Sequence, residues 1–262
     1  MINSESTSGW RYQWQLFCLA VSFFSRLPIP SNTPYSLERM NRAGRYFALV
    51  GLLLGALCGA VFTVADWMLP TSVAVILTMI FSLLLTGAFH EDGLADMADG
   101  IGGGMTQEKR LLIMKDSRLG TYGVVTIVSA LLLKYAALTE LAVGKPLFLI
   151  FIIAYSFSRA VAASLISAMP YVSDPEGSKS KPLANTQTQT ELVILAMCGL
   201  APALLLGLDF TIALIVTGLI FRVFFTKWLT ARLGGFTGDC LGAAQQIVEL
   251  LTYLLMLVFV VN

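Results

Sequence analysis

The chain has 262 residues, 56% hydrophobic and 13% charged, with a mean hydropathy of +0.77. Soluble domains carry roughly 25% charged residues, so this composition excludes an ordinary soluble domain and places the chain in the membrane class. A net charge of +1 gives no sign of a nucleic-acid partner, and none is expected. Cys18, Cys58, Cys198 and Cys240 form no CxxC pair, which argues against a zinc site or a disulfide framework. In chain order, residues 12–27 read as a short aromatic helix, interfacial or partly inserted, ending at SRLPIP. Seven apolar stretches follow, each near the ~20 residues a membrane span needs: 46–68, 71–90, 121–143, 147–169, 190–208, 211–229 and 241–261. The expected fold is all-α, a polytopic helical membrane bundle forming one domain over 1–262.

The breaks between spans alternate in character. Segments 26–45, 91–120, 170–189 and 230–240, with Lys227, hold twelve of the 17 basic residues. The opposite breaks hold only Lys145. Basic loops stay inside, so the first set is expected in the cytoplasm of a multi-pass inner-membrane protein. Three polar, glycine-rich stretches far apart in sequence then share that face: HEDGLADMADG (90–100), KDSRLGTYG (115–123) and GGFTGDCLGA (234–243). Together they suggest one site open to the cytoplasm.

In the first stretch, Asp92, Asp96 and Asp99 are spaced i, i+4, i+7 and fall within about 60° of one another on a helix. Three carboxylates on one stripe at a membrane edge repel unless something cationic compensates. A hard divalent ion such as Mg²⁺, which commonly bridges carboxylates to substrate phosphates, is the economical answer. Glu91 and His90 point elsewhere on a regular helix. Glu91 is a candidate supporting ligand, and His90 a candidate substrate contact or general base. In the second stretch, Arg118 suits bidentate phosphate contact and Lys115 a point-charge contact. In the third, Thr237 and Asp239 are candidate site residues, with helix N-capping the bland alternative for Asp239. Arg159 lies within a span, where it either reaches the cavity or makes a structural ion pair. The small residues of GLLLGALCGA (51–60) suit helix–helix contact, within the chain or between copies in a homo-oligomer.

These blocks together resemble the cobalamin synthase family, the adenosylcobinamide-GDP ribazoletransferases. The resemblance rests on FFSRLP, HEDGLADMADG, RLLIMKDSRLGTYG, the Ser158–Arg159 pair and RLGGFTGDCLGA, in that order over nearly the whole chain. It implies an integral membrane enzyme using Mg²⁺, with membrane lipid around it. Such an enzyme joins adenosylcobinamide-GDP to α-ribazole or α-ribazole 5′-phosphate, releasing GMP. The expected roles are then metal binding for Asp92, Asp96, Asp99 and Glu91, catalysis for His90 and the three aspartates, and substrate binding for Lys115, Arg118, Arg159, Thr237 and Asp239. The polar loop 170–189 receives no role. A transporter with an acidic ion site and other Mg²⁺-dependent membrane transferases are the competing readings.

Overall fold

Glycine at every fourth position draws the two central helices together. The computed structural model describes residues 9–143, 146–173 and 187–260, and in it α3 (Phe47–Met68) lies against α8 (Leu147–Ser164). Gly51, Gly55 and Gly59 face the α8 backbone at Tyr155, Phe151 and Phe148. A side chain at Gly55 would sit 2.6 Å from the Phe151 carbonyl oxygen, so only glycine permits this approach. The small-residue stripe of 51–60 is thus used within the chain.

Around this pair stand α4 (Thr71–Thr86), α7 (Thr121–Leu141), α9 (Gln189–Leu200, extended by a 3₁₀ turn to Leu206), α10 (Leu208–Leu233) and α11 (Gly238–Val260). Among the described residues six helical stretches are long and apolar enough to cross a membrane, consistent with a polytopic helical membrane protein. The expected seventh, 71–90, departs from a simple span. Helix α4 stops at Thr86, and α5 (Phe89–Gly103) leaves it at 86°. The break is Gly87 (φ 67°) and Ala88 (φ 56°), two consecutive left-handed residues. Left-handed backbone ends a helix, and Ala88 bears a Cβ there at a cost of about 1–2 kcal/mol. The backbone N–H of Arg26 donates to the Leu85 carbonyl at 2.8 Å, so the SRLP segment fastens the end of α4.

Helix α1 (Trp10–Phe24) has 15 residues, short of the length a span needs, and Trp10 and Trp14 are exposed along it. Two short helices complete the polar end: α2 (Leu37–Ala43), capped by Ser36, and α6 (Gln107–Met114), capped by Thr106. The polar loop 170–189 lies mostly outside the described residues, and so does Lys145. Its first residues add one parallel bridge between Tyr171 and Phe236.

A carboxylate-lined candidate active site

Helix α5 carries the HEDGLADMADG stretch and presents two different faces. It packs between α7 and α11, and glycine again sets the distance: a Cβ at Gly93 would meet the Asp239 backbone at 2.9 Å. On one face, Asp92 is exposed and Asp96 half-buried. The charges acting on Asp96 are Asp92, Asp239 and Asp99, all of its own sign. Asp239 stands in the first turn of α11, so two segments about 140 residues apart in sequence contribute to one acidic cluster. Among the described residues no basic side chain pairs with Asp92, Asp96 or Asp239.

Asp239 is free for this because Thr237 caps α11. The Thr237 hydroxyl accepts from the Cys240 N–H at 3.3 Å and donates toward Asp239 Oδ2 at 3.2 Å. The bland reading of Asp239 as the cap therefore passes to Thr237, two residues upstream. Asp99, buried on the same stripe, is engaged differently: Oδ2 accepts from the Gly120 N–H at 2.7 Å and Oδ1 from the Gly123 N–H at 2.8 Å. It ties the start of α7, where unpaired N–H groups favour a negative charge, to α5.

The opposite face of α5 looks into the bundle. His90 is buried, near-parallel to the rings of Phe24 and Phe47 and edge-on to Phe89, and its Nε2 has no hydrogen-bond partner. The charges acting on it are Arg159 and Lys134, not the aspartates. Glu91 Oε1 accepts from Gln246 Nε2 at 2.9 Å. Lys134 Nζ donates to Gln246 Oε1 and pairs with Glu249 Oε1, each at 2.9 Å. Gln245 joins Glu249 Oε2 (2.7 Å) to the Ser158 hydroxyl (3.1 Å), and the Tyr253 hydroxyl donates to Glu249 Oε1 (3.1 Å). Arg159 is fully buried beside this cluster, donating to the Tyr155 carbonyl at 3.1 Å and lying 4.9 Å from the Tyr155 ring centroid. It faces the internal network rather than the aspartate stripe. Two buried cations and two buried carboxylates thus compensate one another in the interior, the arrangement a low dielectric demands.

Lys115 caps the end of α6 and is exposed. Arg118 is 87% exposed and forks onto Asp116, with Nε–Oδ1 at 3.0 Å. The guanidinium holds the Asp116 carboxyl down to about 2. Arg118 therefore stands in solvent beside α5 with its charge already shared.

The fit of a metal ion follows from this donor set. Among the described residues no three acidic, histidine or cysteine side chains close on one point as a complete cage. Mg²⁺ does not ask for one: it keeps several waters and binds through one or two carboxylates plus substrate phosphates. Asp92, Asp96 and Asp239, uncompensated and partly open to solvent, suit that mode. Both Asp99 oxygens and Glu91 Oε1 are committed elsewhere, and Glu91 Oε2 is buried without a hydrogen-bond partner on the face turned into the bundle.

The family model described as cobalamin-5-phosphate synthase matches residues 16–257. The chain belongs to the cobalamin-5-phosphate synthase family. It is a transferase of cobalamin synthesis on that footing. A relative from Vibrio vulnificus (strain YJ016), an adenosylcobinamide-GDP ribazoletransferase, is 62% identical over 251 residues, covering 96% of this chain and 98% of its own. A Vibrio cholerae relative of the same name (strain ATCC 39541 / Classical Ogawa 395 / O395) is 60% identical over 95% of both chains. One from Shewanella pealeana (strain ATCC 700345 / ANG-SQ1) is 49% identical over 97% and 99%. No solved structure matches the chain.

The network of Lys134, Gln245, Gln246 and Glu249 escaped the sequence reading as a site. Its signal was present: Gln245, Gln246, Glu249, Thr252 and Tyr253 put polar groups on one side of an otherwise apolar run.

Proposed function

We propose that this protein joins adenosylcobinamide-GDP to α-ribazole or α-ribazole 5′-phosphate, using Mg²⁺, at a site facing the cytoplasm. The observation that carries the reading is the cluster of Asp92, Asp96 and Asp239, three carboxylates from two helices with no paired cation among the described residues. A diphosphate substrate repels such a cluster, and a divalent ion between them removes the repulsion and neutralises charge developing on the phosphates. Asp92 and Asp96 would hold it, with Asp239 beside them.

The remaining work belongs to the chain's own groups. A ribazole hydroxyl forms a bond to the corrin-side phosphorus, the bond to the GMP oxygen breaks, and the hydroxyl proton leaves. Little covalent chemistry falls to the protein; positioning and charge dominate. A carboxylate of the exposed stripe is the proton acceptor in this reading, because His90 is enclosed by phenylalanines on the other face of α5. Asp99 fixes α7 against α5, so the Lys115–Gly120 segment is held next to the stripe. Lys115 and Arg118 meet the substrate phosphates there, Arg118 exchanging Asp116 for a phosphate oxygen. The exposed position of Asp92 leaves room for a bulky corrin.

Asp96→Asn tests the reading. The variant is expected to insert and fold as the parent does, yet lose turnover of adenosylcobinamide-GDP. Near-parental turnover at matched insertion would sink the assignment of the stripe.

A further inference from the structure

A different feature lies on the side of the bundle away from the aspartates. Helices α8, α9 and α10 do not close on one another. They leave a slot of about 290 Å³, apolar along Phe157, Val161, Leu195, Ile215 and Leu219. At its polar end stands Arg222, with Ser164 beside it. Arg222 Nε donates to the Ser164 hydroxyl at 3.1 Å, and Nη2 reaches the Ser164 carbonyl and the Ser167 hydroxyl at 3.4 Å each. Ser164 ends α8 and Ser167 lies in the 3₁₀ turn that follows, at the end that bears the glycine-rich stretches.

Among the described residues three cations sit buried or half-buried within the long apolar helices, Lys134, Arg159 and Arg222, and Arg222 differs from the other two. Lys134 has Glu249, and Arg159 acts on Glu249. Among the described residues Arg222 has hydroxyl and carbonyl partners but no carboxylate. The acidic residue of α9, Glu191, is taken by Arg45, and Asp209 is at the far end of α10. A half-buried cation within a span calls for an anion.

We infer that the slot binds one anionic diacylphospholipid, its phosphate on Arg222 and one acyl chain along the slot. The dimensions agree. From Arg222 the slot runs two turns along α10 to Ile215, about 10 Å, the length of a substantial part of an acyl chain. A soluble anion would satisfy Arg222 and leave the apolar walls unused. Charge selects the headgroup: a lipid of net negative charge leaves the arginine compensated, a zwitterionic one does not.

The full chain in nanodiscs of mixed phosphatidylglycerol and phosphatidylcholine, released and weighed by native mass spectrometry, tests this. The parent is expected to retain phosphatidylglycerol in preference to phosphatidylcholine. Arg222→Gln is expected to weaken that preference about tenfold, and Arg222→Lys to keep part of it. Equal retention of the two lipids by the parent, or undiminished preference in Arg222→Gln, would overturn the inference. A second readout needs no variant: phosphatidylglycerol carrying a photoreactive acyl chain should label α8 and α10 at the slot. Labelling spread evenly over the lipid-facing helices would overturn it, and so would removal of the label by inorganic phosphate alone.

Discussion

Single residues on α5 separate by the face they occupy. Asp92 and Asp96 are the exposed and half-buried members of a like-charged cluster. Replacing Asp96 by Asn should lower turnover by about 10²–10³-fold, the usual scale for losing one group that acts on developing charge. A steady-state assay at matched membrane insertion checks it. Asp99→Asn has another signature: it weakens one charged acceptor of two backbone N–H groups, so it should lower stability by about 1–3 kcal/mol. Thermal unfolding in detergent reports that change. The three aspartates were legible from their spacing, because a regular helix fixes their common stripe. What spacing could not say is which of them a backbone would claim. That depended on where the start of α7 came to rest. At the start of α11 the sequence reading weighed Asp239 as the cap, and the structure gives that role to Thr237.

At the scale of helices, the bend between α4 and α5 decides which face of α5 meets solvent. Gly87 is left-handed at φ 67°, and a Cβ there would collide with the Arg26 guanidinium. Gly87→Val should therefore cost about 1–2 kcal/mol in backbone strain alone and reduce turnover through a misaimed α5. Unfolding and activity measured on the same preparation would separate the two effects. The sequence led to a span over 71–90 because apolar character continues to Phe89 without interruption. Hydropathy carries no information about backbone handedness, so the break stayed hidden. The internal network stabilises the same helix from behind. Lys134→Met leaves Glu249 and Glu91 without their main countercharge and should destabilise by about 3–5 kcal/mol. Pairing it with Glu249→Leu should restore part of that loss, measured as a double-mutant cycle. No carry-over from motif spacing would find this network, since its members come from α5, α7, α8 and α11 and meet only after packing.

For the whole molecule, most of the architecture was readable: composition set the class, and six of the seven expected spans stand as long apolar helices. The orientation we propose from the placement of basic residues has a direct test: a thiol introduced at exposed Met105 should react with an impermeant reagent only from the cytoplasmic side. The central claim is that this bundle performs a metal-dependent transfer between a corrin diphosphate and a ribazole. The most direct measurement is GMP release and corrinoid product formation by the reconstituted protein in liposomes. It supplies adenosylcobinamide-GDP, α-ribazole or its 5′-phosphate, and Mg²⁺, with a chelator control. Product that disappears with chelation and returns with added Mg²⁺ is the expected result. No product from folded protein with intact substrates and either acceptor, or product unaffected by chelation, would contradict the account.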